Sequence, residues 1–269
     1  MKQRIDVALT ARGLADSREK AQALIMAGQV YIGEKKVLKP SEQVAEDANI
    51  VLRGAGEAHF ASRGGHKLEK AMTAFEADVT GKVAMDIGAA AGGFTDVLLR
   101  HGASHVYAID VGYGQLDWKL RNDERVTVME RTNARTLTLD MFPARPNLTV
   151  MDVSFISIRL ILPVAAEIMG EEGRFLTLVK PQFEAGKGQV GKNGVVREKE
   201  THERVLKEIC TFAPSFGWHV AQMTFSPIKG PEGNIEYITE LLPAETQGEG
   251  ITEESIAAVV EAAHRTLAK

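Results

Sequence analysis

The chain has 269 residues, of which 44% are apolar and 25% are charged, and its net charge is −4. This composition is typical of a globular protein with one large and one small domain, and the net charge excludes a polycation that binds nucleic acid over its whole surface. The single cysteine, Cys210, excludes an intramolecular disulfide and indicates a reducing, cytoplasmic compartment, and no apolar run approaches the roughly 18 residues of a membrane span.

The first 53 residues are predicted to form a compact α+β unit. Apolar residues at helical spacing predict a first helix that ends at Gly13, and Ser17 caps a second helix over Arg18–Ala27. Short strands follow at Gln29–Ile32, Lys36–Leu38 and Asn49–Leu52. Residues 1–39 hold eight Lys and Arg against four Asp and Glu, a local charge of +4. By itself this local charge favours an ordinary solvated helical face, and a patch that follows a phosphate backbone is the functional alternative.

A linker is predicted after this unit, because Gly54 and Gly56 interrupt any periodic pattern. A helix is expected to begin near Gly65, with apolar residues at helical offsets after it. We therefore divide the chain into a small domain with its linker, residues 1–58, and a large domain, residues 59–269.

The large domain alternates strand-like and helical segments from residue 82 onward, which predicts a parallel sheet with helices on both faces. Only nine residues, 226–234, separate the last two strands, too few for a parallel crossover, so the last strand should be antiparallel. We expect an α/β fold with a mostly parallel Rossmann-like sheet and an antiparallel last strand, the layout of methyltransferases. The strands are predicted at Val83–Ile87, Val106–Asp110, Val126–Met129, Leu148–Asp152, Phe175–Val179, His219–Phe225 and Ile235–Leu241.

A glycine-rich turn, MDIGAAAGGFTD, follows the first of these strands. It is not the dinucleotide-binding G-x-G-x-x-G pattern, because position 90 is alanine. Asp110 ends the second strand, where a carboxylate can accept hydrogen bonds from both ribose hydroxyls of an adenosine. Turn, carboxylate and topology together favour S-adenosylmethionine, while a tight turn with a helix-capping Asp is the structural alternative. The predicted cofactor-binding residues are Asp86, Gly88, Gly92, Gly93, Phe94, Asp110 and Asn133.

A lysine, Lys180, ends the otherwise apolar fifth strand. Asp152 ends the fourth strand and Glu236 lies in the last one, so these groups should meet at the carboxyl edge of the sheet, where ligands bind. Burial and a second cation, for which Lys67 is the candidate, would favour the neutral lysine that acts as a general base. A plain salt bridge between Lys180 and Asp152 is the alternative. Lys67 by itself is more simply interpreted as a solvated helix lysine.

Seven motifs together resemble the TlyA family of ribosomal RNA 2′-O-methyltransferases, also labelled hemolysin A, over nearly the whole chain: SRGGHKL, DIGAAAGGFTD, YAIDVGYGQL, ERTNAR, MDVSFIS, LVKPQFE and GNIEYI. The resemblance implies a catalytic tetrad of Lys67, Asp152, Lys180 and Glu236, in which Lys180 deprotonates the ribose hydroxyl. It also implies an FtsJ-like catalytic domain that uses S-adenosylmethionine. Where the family has a polar pair in the glycine turn, this chain has Ala90 and Ala91, which removes two possible hydroxyl contacts to the cofactor.

The first 53 residues resemble a small RNA-binding domain found in a ribosomal small-subunit protein and in many pseudouridine synthases. The resemblance implies that the partner is ribosomal RNA or a ribosomal subunit, bound through Arg4, Arg18, Lys20 and Lys35. We expect no metal, because the seven histidines show no metal-ligand spacing. A monomer is the default expectation for the oligomeric state. Two other functions are weighed: an RNA-binding protein with a degenerate cofactor site, and a membrane-acting cytolysin, which predicts a secretion signal or an apolar membrane face.

Overall fold

A computed structural model of the protein describes residues 2–15, 17–33, 35–45, 48–52, 60–186, 188–246 and 250–267. The chain divides into two compact units, residues 1–59 and residues 60–269. The predicted linker at residues 53–58 lies outside the described residues, and the domain boundary at residue 58 stays a prediction. None of the described helices is both long and apolar enough to span a bilayer.

The first unit packs two helices against two small sheets. The predicted cap is present, because the backbone N–H of Lys20 donates to the Ser17 hydroxyl at 3.2 Å. Two strands were not predicted, β1 and β4, which pair antiparallel with each other. β1 is entirely polar and β4 buries just its central residue, so neither has the apolar run that predicts a strand. The elements are β1 (Lys2–Arg4), α1 (Ile5–Ala11), α2 (Arg18–Met26), β2 (Val30–Ile32), β3 (Lys35–Lys36), β4 (Gln43–Ala45) and β5 (Ile50–Leu52).

The second unit is a seven-stranded sheet with helices on both faces, in the order β11-β12-β10-β9-β6-β7-β8. Its strands are β6 (Val83–Ile87), β7 (His105–Ile109), β8 (Val126–Met129), β9 (Leu148–Met151), β10 (Phe175–Val179), β11 (Trp218–Phe225) and β12 (Tyr237–Pro243). Its helices are α3 (Gly65–Ala74), α4 (Gly93–Arg100), α5 (Trp118–Arg121), α6 (Leu162–Met169), α7 (Pro181–Glu184), α8 (Lys199–Phe212) and α9 (Glu253–Leu267).

The predicted fold class is confirmed, including the direction of the last strand. β12 runs antiparallel to both of its neighbours, β10 and β11. The last strand begins at Tyr237, two residues later than predicted, because the preceding residues form the connection from β11. In that connection the backbone N–H of Ser226 donates to the Glu236 carbonyl at 2.8 Å. Glu236 therefore directly precedes the last strand and does not lie within it.

Two hydrophobic clusters cover the two faces of the sheet. All five residues of β10 are buried, as expected for a central strand that packs helices on both sides. Since β6, β7, β9 and β10 are parallel, the residues that follow them meet at one edge. This edge holds the glycine turn, Asp110, Asp152 and Lys180.

Candidate active site

The four predicted tetrad residues form one continuous chain of ion pairs. The Nζ atom of Lys67 lies 2.6 Å from Oε2 of Glu236 and 3.2 Å from Oδ2 of Asp152. The other oxygen of Asp152, Oδ1, lies 2.6 Å from Nζ of Lys180. Helix α3, two strand ends and the residue before β12 thus bring two lysines and two carboxylates together.

Lys67 is buried, which corrects its interpretation as a solvated lysine. The residue is 7% exposed, as is Lys180, and Glu236 is 1% exposed. Lys67 lies on the buried side of α3 with Leu68 and Ala71. A buried ammonium needs charged partners, and Glu236 and Asp152 supply them.

The charges within this group shift the pKa of two of its members. Burial alone would lower the pKa of Lys67, but Asp152 and Glu236 outweigh burial, and the pKa of Lys67 is raised above its usual value. Burial would likewise raise the pKa of Asp152, but the Lys180 and Lys67 ammonium groups outweigh it and lower that pKa. Asp152 is therefore a carboxylate, and Lys67 an ammonium, at neutral pH.

Lys180 has a further partner that the sequence did not reveal. Its Nζ atom donates to the Ser154 hydroxyl at 3.0 Å, in addition to the ion pair with Asp152. The salt bridge that was the alternative interpretation thus exists, but within a larger group that includes Lys67. Ser154 stands two residues after Asp152 in MDVSFIS, so its position beside the strand end was the signal that could have identified it.

The glycines of the turn approach other parts of the protein closely. Gly88 has φ of +85°, and a Cβ atom there would lie 2.6 Å from the Asp152 carbonyl oxygen. Gly92 has φ of +91°, and its missing side chain leaves room for Leu120. A Cβ atom on Gly93 would lie 2.3 Å from the Ser62 hydroxyl oxygen. Packing within the protein is thus enough to require each of these glycines.

A cleft of about 320 Å³ lies beside the tetrad, within the usual size for a small-molecule site. Of the predicted cofactor-binding residues, Gly88, Asp110 and Asn133 line this cleft. Asp152 of the tetrad and Ser154, which contacts Lys180, line it as well. The sequence did not identify several other residues that line the cleft. Most of them are direct neighbours in the chain of predicted site residues: Val111, Gln115, Thr132 and Val153.

Asp110 is held at the cleft by two backbone groups. Its Oδ2 atom accepts from the Ala90 N–H at 2.9 Å and its Oδ1 atom accepts from the Gly112 N–H at 2.7 Å. Ala90 has φ of +47°, so the contact depends on the backbone of the turn and does not need a polar side chain at this position. Each oxygen keeps a lone pair for a ligand hydroxyl.

The other four predicted cofactor residues lie outside the lining of the cleft: Asp86, Gly92, Gly93 and Phe94. Asp86 is fully buried, and one of its oxygens accepts from the Thr95 N–H at 2.9 Å and from the Thr95 hydroxyl at 2.6 Å. Its other oxygen has no hydrogen-bond partner among the described residues. Burial raises the pKa of Asp86 to about 7. Cofactor contact by these four residues stays a prediction.

In the first unit, a buried carboxylate gathers two of the predicted RNA-binding residues. Asp6 is fully buried and pairs with Arg4 at 2.9 Å and with Arg18 at 3.1 Å through the same oxygen, Oδ2. The two guanidinium groups therefore lie side by side. Lys35 pairs with Glu42 at 2.7 Å, and Lys20 lies on the exposed side of α2. RNA contact by these residues stays a prediction.

Comparison with known proteins agrees with both units. Residues 60–241 match the FtsJ-like methyltransferase family and residues 3–50 match the S4 domain. The 16S/23S rRNA (cytidine-2′-O)-methyltransferase TlyA of Mycobacterium tuberculosis is 46% identical over 234 residues, which cover 87% of this chain and 87% of the relative. Hemolysin A of Brachyspira hyodysenteriae is 41% identical over 240 residues, 89% of this chain and 99% of that protein.

A solved structure from Streptococcus thermophilus that carries the name hemolysin is 43% identical, with a TM-score of 0.77, and the match covers 98% of this chain and 96% of that one. The family match spans well over half of the chain, and it agrees with the resemblance drawn from the motifs. The chain belongs to the FtsJ-like methyltransferase family.

Proposed function

We propose that the protein transfers a methyl group from S-adenosylmethionine to a ribose 2′-hydroxyl of ribosomal RNA. The observation that carries the proposal is the buried chain of ion pairs from Glu236 through Lys67 and Asp152 to Lys180, beside a ligand-sized cleft. The proposal also draws on the M. tuberculosis relative, whose name states a cytidine-2′-O-methyltransferase of 16S and 23S rRNA.

The residues of the cleft fit the proposed cofactor. Asp110 presents two acceptor oxygens at the end of β7, suited to the two hydroxyls of a ribose. Gly88 and Ala90 border the cleft without long side chains, and Asn133 contributes a polar group. S-adenosylmethionine, when bound, supplies a methyl group activated by a positively charged sulfur, so the protein must mainly orient the hydroxyl and remove its proton.

Lys180 is the proposed general base for the 2′-hydroxyl proton. Its Nζ atom contacts Ser154 and Asp152, and both of these residues line the cleft. Asp152 holds the amine and stabilises the ammonium that forms when the proton arrives. Lys67 offsets part of the negative charge of Asp152, and Glu236 in turn balances the charge of Lys67.

The S4 domain is the proposed docking site for ribosomal RNA in the cytoplasm. Arg4 and Arg18, gathered on Asp6, form a pair of guanidinium groups suited to the phosphate backbone, and Lys20 and Lys35 add positive charge. Phosphate contacts of this kind position a protein on RNA without reading its sequence. A target nucleotide in folded RNA must then be extruded from its stack to reach the cleft.

The test is transfer of a labelled methyl group to purified bacterial ribosomal subunits and to naked ribosomal RNA. We expect the label in RNA, at a position that resists alkaline cleavage because its 2′-oxygen is blocked. Asp152→Asn should lose the transfer, while Asp78→Asn, which changes an exposed Asp outside the cleft, should keep it. Labelled RNA that remains fully alkali-sensitive would refute the 2′-oxygen as the acceptor. Binding of RNA with neither transfer nor cofactor binding would favour an RNA-binding protein with a degenerate site.

A further inference from the structure

Ser154 is a polar group at the proposed base to which neither the motifs nor the family resemblance assigned a role. Its hydroxyl oxygen lies 3.0 Å from Nζ of Lys180, and the residue lines the cleft. The residue is exposed, whereas Lys180 is 7% exposed. Ser154 is therefore an exposed partner of the buried Lys180 at the lining of the cleft.

The geometry of an amine explains what this contact does. A neutral primary amine has two N–H groups and one lone pair, in a tetrahedral arrangement with the carbon chain. The Ser154 hydroxyl accepts one N–H group at 3.0 Å, and Asp152 Oδ1, an ion-pair partner at 2.6 Å, is within reach of the other. When both are occupied, the lone pair has one direction left. With Asp152 alone, the amine can rotate about its last carbon–nitrogen bond, and the lone pair has no fixed direction.

The segment that carries Ser154 is fastened to the segment that follows Lys180. The carboxylate of Glu184, four residues after Lys180, has a side chain that is 1% exposed. It accepts from the Ser157 hydroxyl at 2.6 Å and from the Ile158 N–H at 2.8 Å. The Arg159 guanidinium adds a bond to the Glu184 carbonyl at 3.2 Å. Residues 157–159, which begin three positions after Ser154, are thus hydrogen-bonded to Glu184 at the end of α7.

This fastening also holds an unfavourable backbone conformation next to Ser154. Phe155 has φ of +65°, in the left-handed region that side-chain-bearing residues seldom adopt. Such a conformation persists only where the surrounding contacts determine it, and these residues cluster at functional sites. The contacts of the buried Glu184 with Ser157 and Ile158 hold the backbone in this conformation, and they keep Ser154 next to Lys180.

We propose that Ser154 is a positioning residue which, together with Asp152, directs the lone pair of the Lys180 amine toward the reacting hydroxyl, and that Glu184 keeps Ser154 in place. This inference rests on the proposed function, because it assigns Lys180 the role of base. The inference gives Glu184, the glutamate of LVKPQFE, a role. Its carboxylate joins the segment that follows Asp152 to the helix α7 that follows Lys180.

The test compares Ser154→Ala and Ser154→Thr with the wild type in single-turnover methyl transfer to ribosomal subunits, with cofactor affinity measured by calorimetry. Ser104→Ala is the matched control, since that hydroxyl donates to the carbonyls of Gly81 and Lys82, before β6, and Ser104 is not part of the cleft lining. We expect the Ala variant to lose roughly 2- to 10-fold in rate, the value of one hydrogen bond between neutral groups. Its cofactor affinity and its KM for subunits should be unchanged, and Thr should restore most of the rate.

Three results would overturn the inference while leaving the proposed function intact: an Ala variant as fast as the wild type, a Thr variant as slow as Ala, or a loss confined to cofactor affinity or KM. Glu184→Gln gives a second readout, because its amide retains an acceptor for the Ile158 N–H but loses the charge. Glu184→Gln should lower the rate less than Ser154→Ala does, because Glu184 acts on Lys180 only through Ser154. A larger loss in a folded Glu184→Gln variant would contradict this indirect role. A wild type that transfers no methyl group would instead refute the proposed function.

Discussion

Replacement of Lys67 by methionine tests whether the tetrad is a balanced set of buried charges. The change removes one ammonium from between two carboxylates at 2.6 and 3.2 Å and keeps most of the side-chain volume. Each ion pair at contact is worth roughly 4 kcal/mol at an effective dielectric constant of 20, before the cost of desolvation. Breaking a buried pair typically costs about 3–5 kcal/mol, because an uncompensated charge stays behind. We expect a loss of that size in the free energy of unfolding at pH 7.

The pH dependence of this loss follows from the pKa shifts. The raised pKa of Lys67 means that its contribution is fully present below pH 10.5 and is lost only as the pH rises through the raised value. The lowered pKa of Asp152 contributes stability above pH 3.8, which is lost as the pH falls through the lowered value. Without Lys67, Asp152 keeps only Lys180, and its pKa rises. The difference between wild type and variant should therefore shrink as the pH falls from 7 toward 4.

Urea unfolding of the wild type, Lys67→Met and Lys67→Met/Glu236→Gln at pH 7 and pH 4.5 measures these quantities. The double variant removes the uncompensated carboxylate, so it should recover more than about 1 kcal/mol relative to the single variant. A loss below about 1 kcal/mol at pH 7, or a double variant no more stable than the single one, would refute the charge-balance argument.

Three further predictions concern the glycine turn, the buried carboxyl beneath it and the helix cap of the first unit. Gly88→Ala should cost roughly 2–5 kcal/mol, because its Cβ would lie 2.6 Å from the Asp152 carbonyl at φ of +85°, and a thermal shift below a few degrees would contradict this. Asp86→Asn should gain about 4 kcal/mol relative to the wild type between pH 4 and 7, since the pKa of Asp86 rises from 3.8 to about 7 and an acid with a raised pKa loses stability as the pH rises through that window. A stability difference between Asp86→Asn and the wild type that is the same at pH 4 and pH 7 would contradict this prediction. Ser17→Ala should cost about 1 kcal/mol through loss of its bond to the Lys20 N–H, seen as faster amide exchange in α2 and unchanged exchange in α4.

The sheet could be predicted from the sequence because its signals are local. Apolar runs such as Phe175–Val179 are bounded by polar residues, and the short connection of residues 226–234 requires an antiparallel partner for the last strand. The strands β1 and β4 could not be predicted, since β1 is entirely polar, β4 buries just its central residue, and their pairing depends on contacts about forty residues apart in the chain.

The candidate site was predictable where chain topology determines position. Asp152 and Lys180 follow neighbouring parallel strands, so they had to meet. Lys67 was different: helical spacing places it on a face of α3, but only the tertiary fold shows that this face meets Asp152 and Glu236. The same holds for Gly92, whose closest approach is to a leucine of α5 that follows it by 28 residues.

Replacement of Lys180 by methionine tests whether this lysine is the base that removes the proton of the ribose hydroxyl. Single-turnover methyl transfer to ribosomal subunits and calorimetric cofactor binding should be measured on the same preparation of wild type and variant. The account predicts a rate lower by roughly 10²- to 10⁴-fold, the usual contribution of a general base, with cofactor affinity retained. A variant that transfers methyl groups at the wild-type rate would contradict the account.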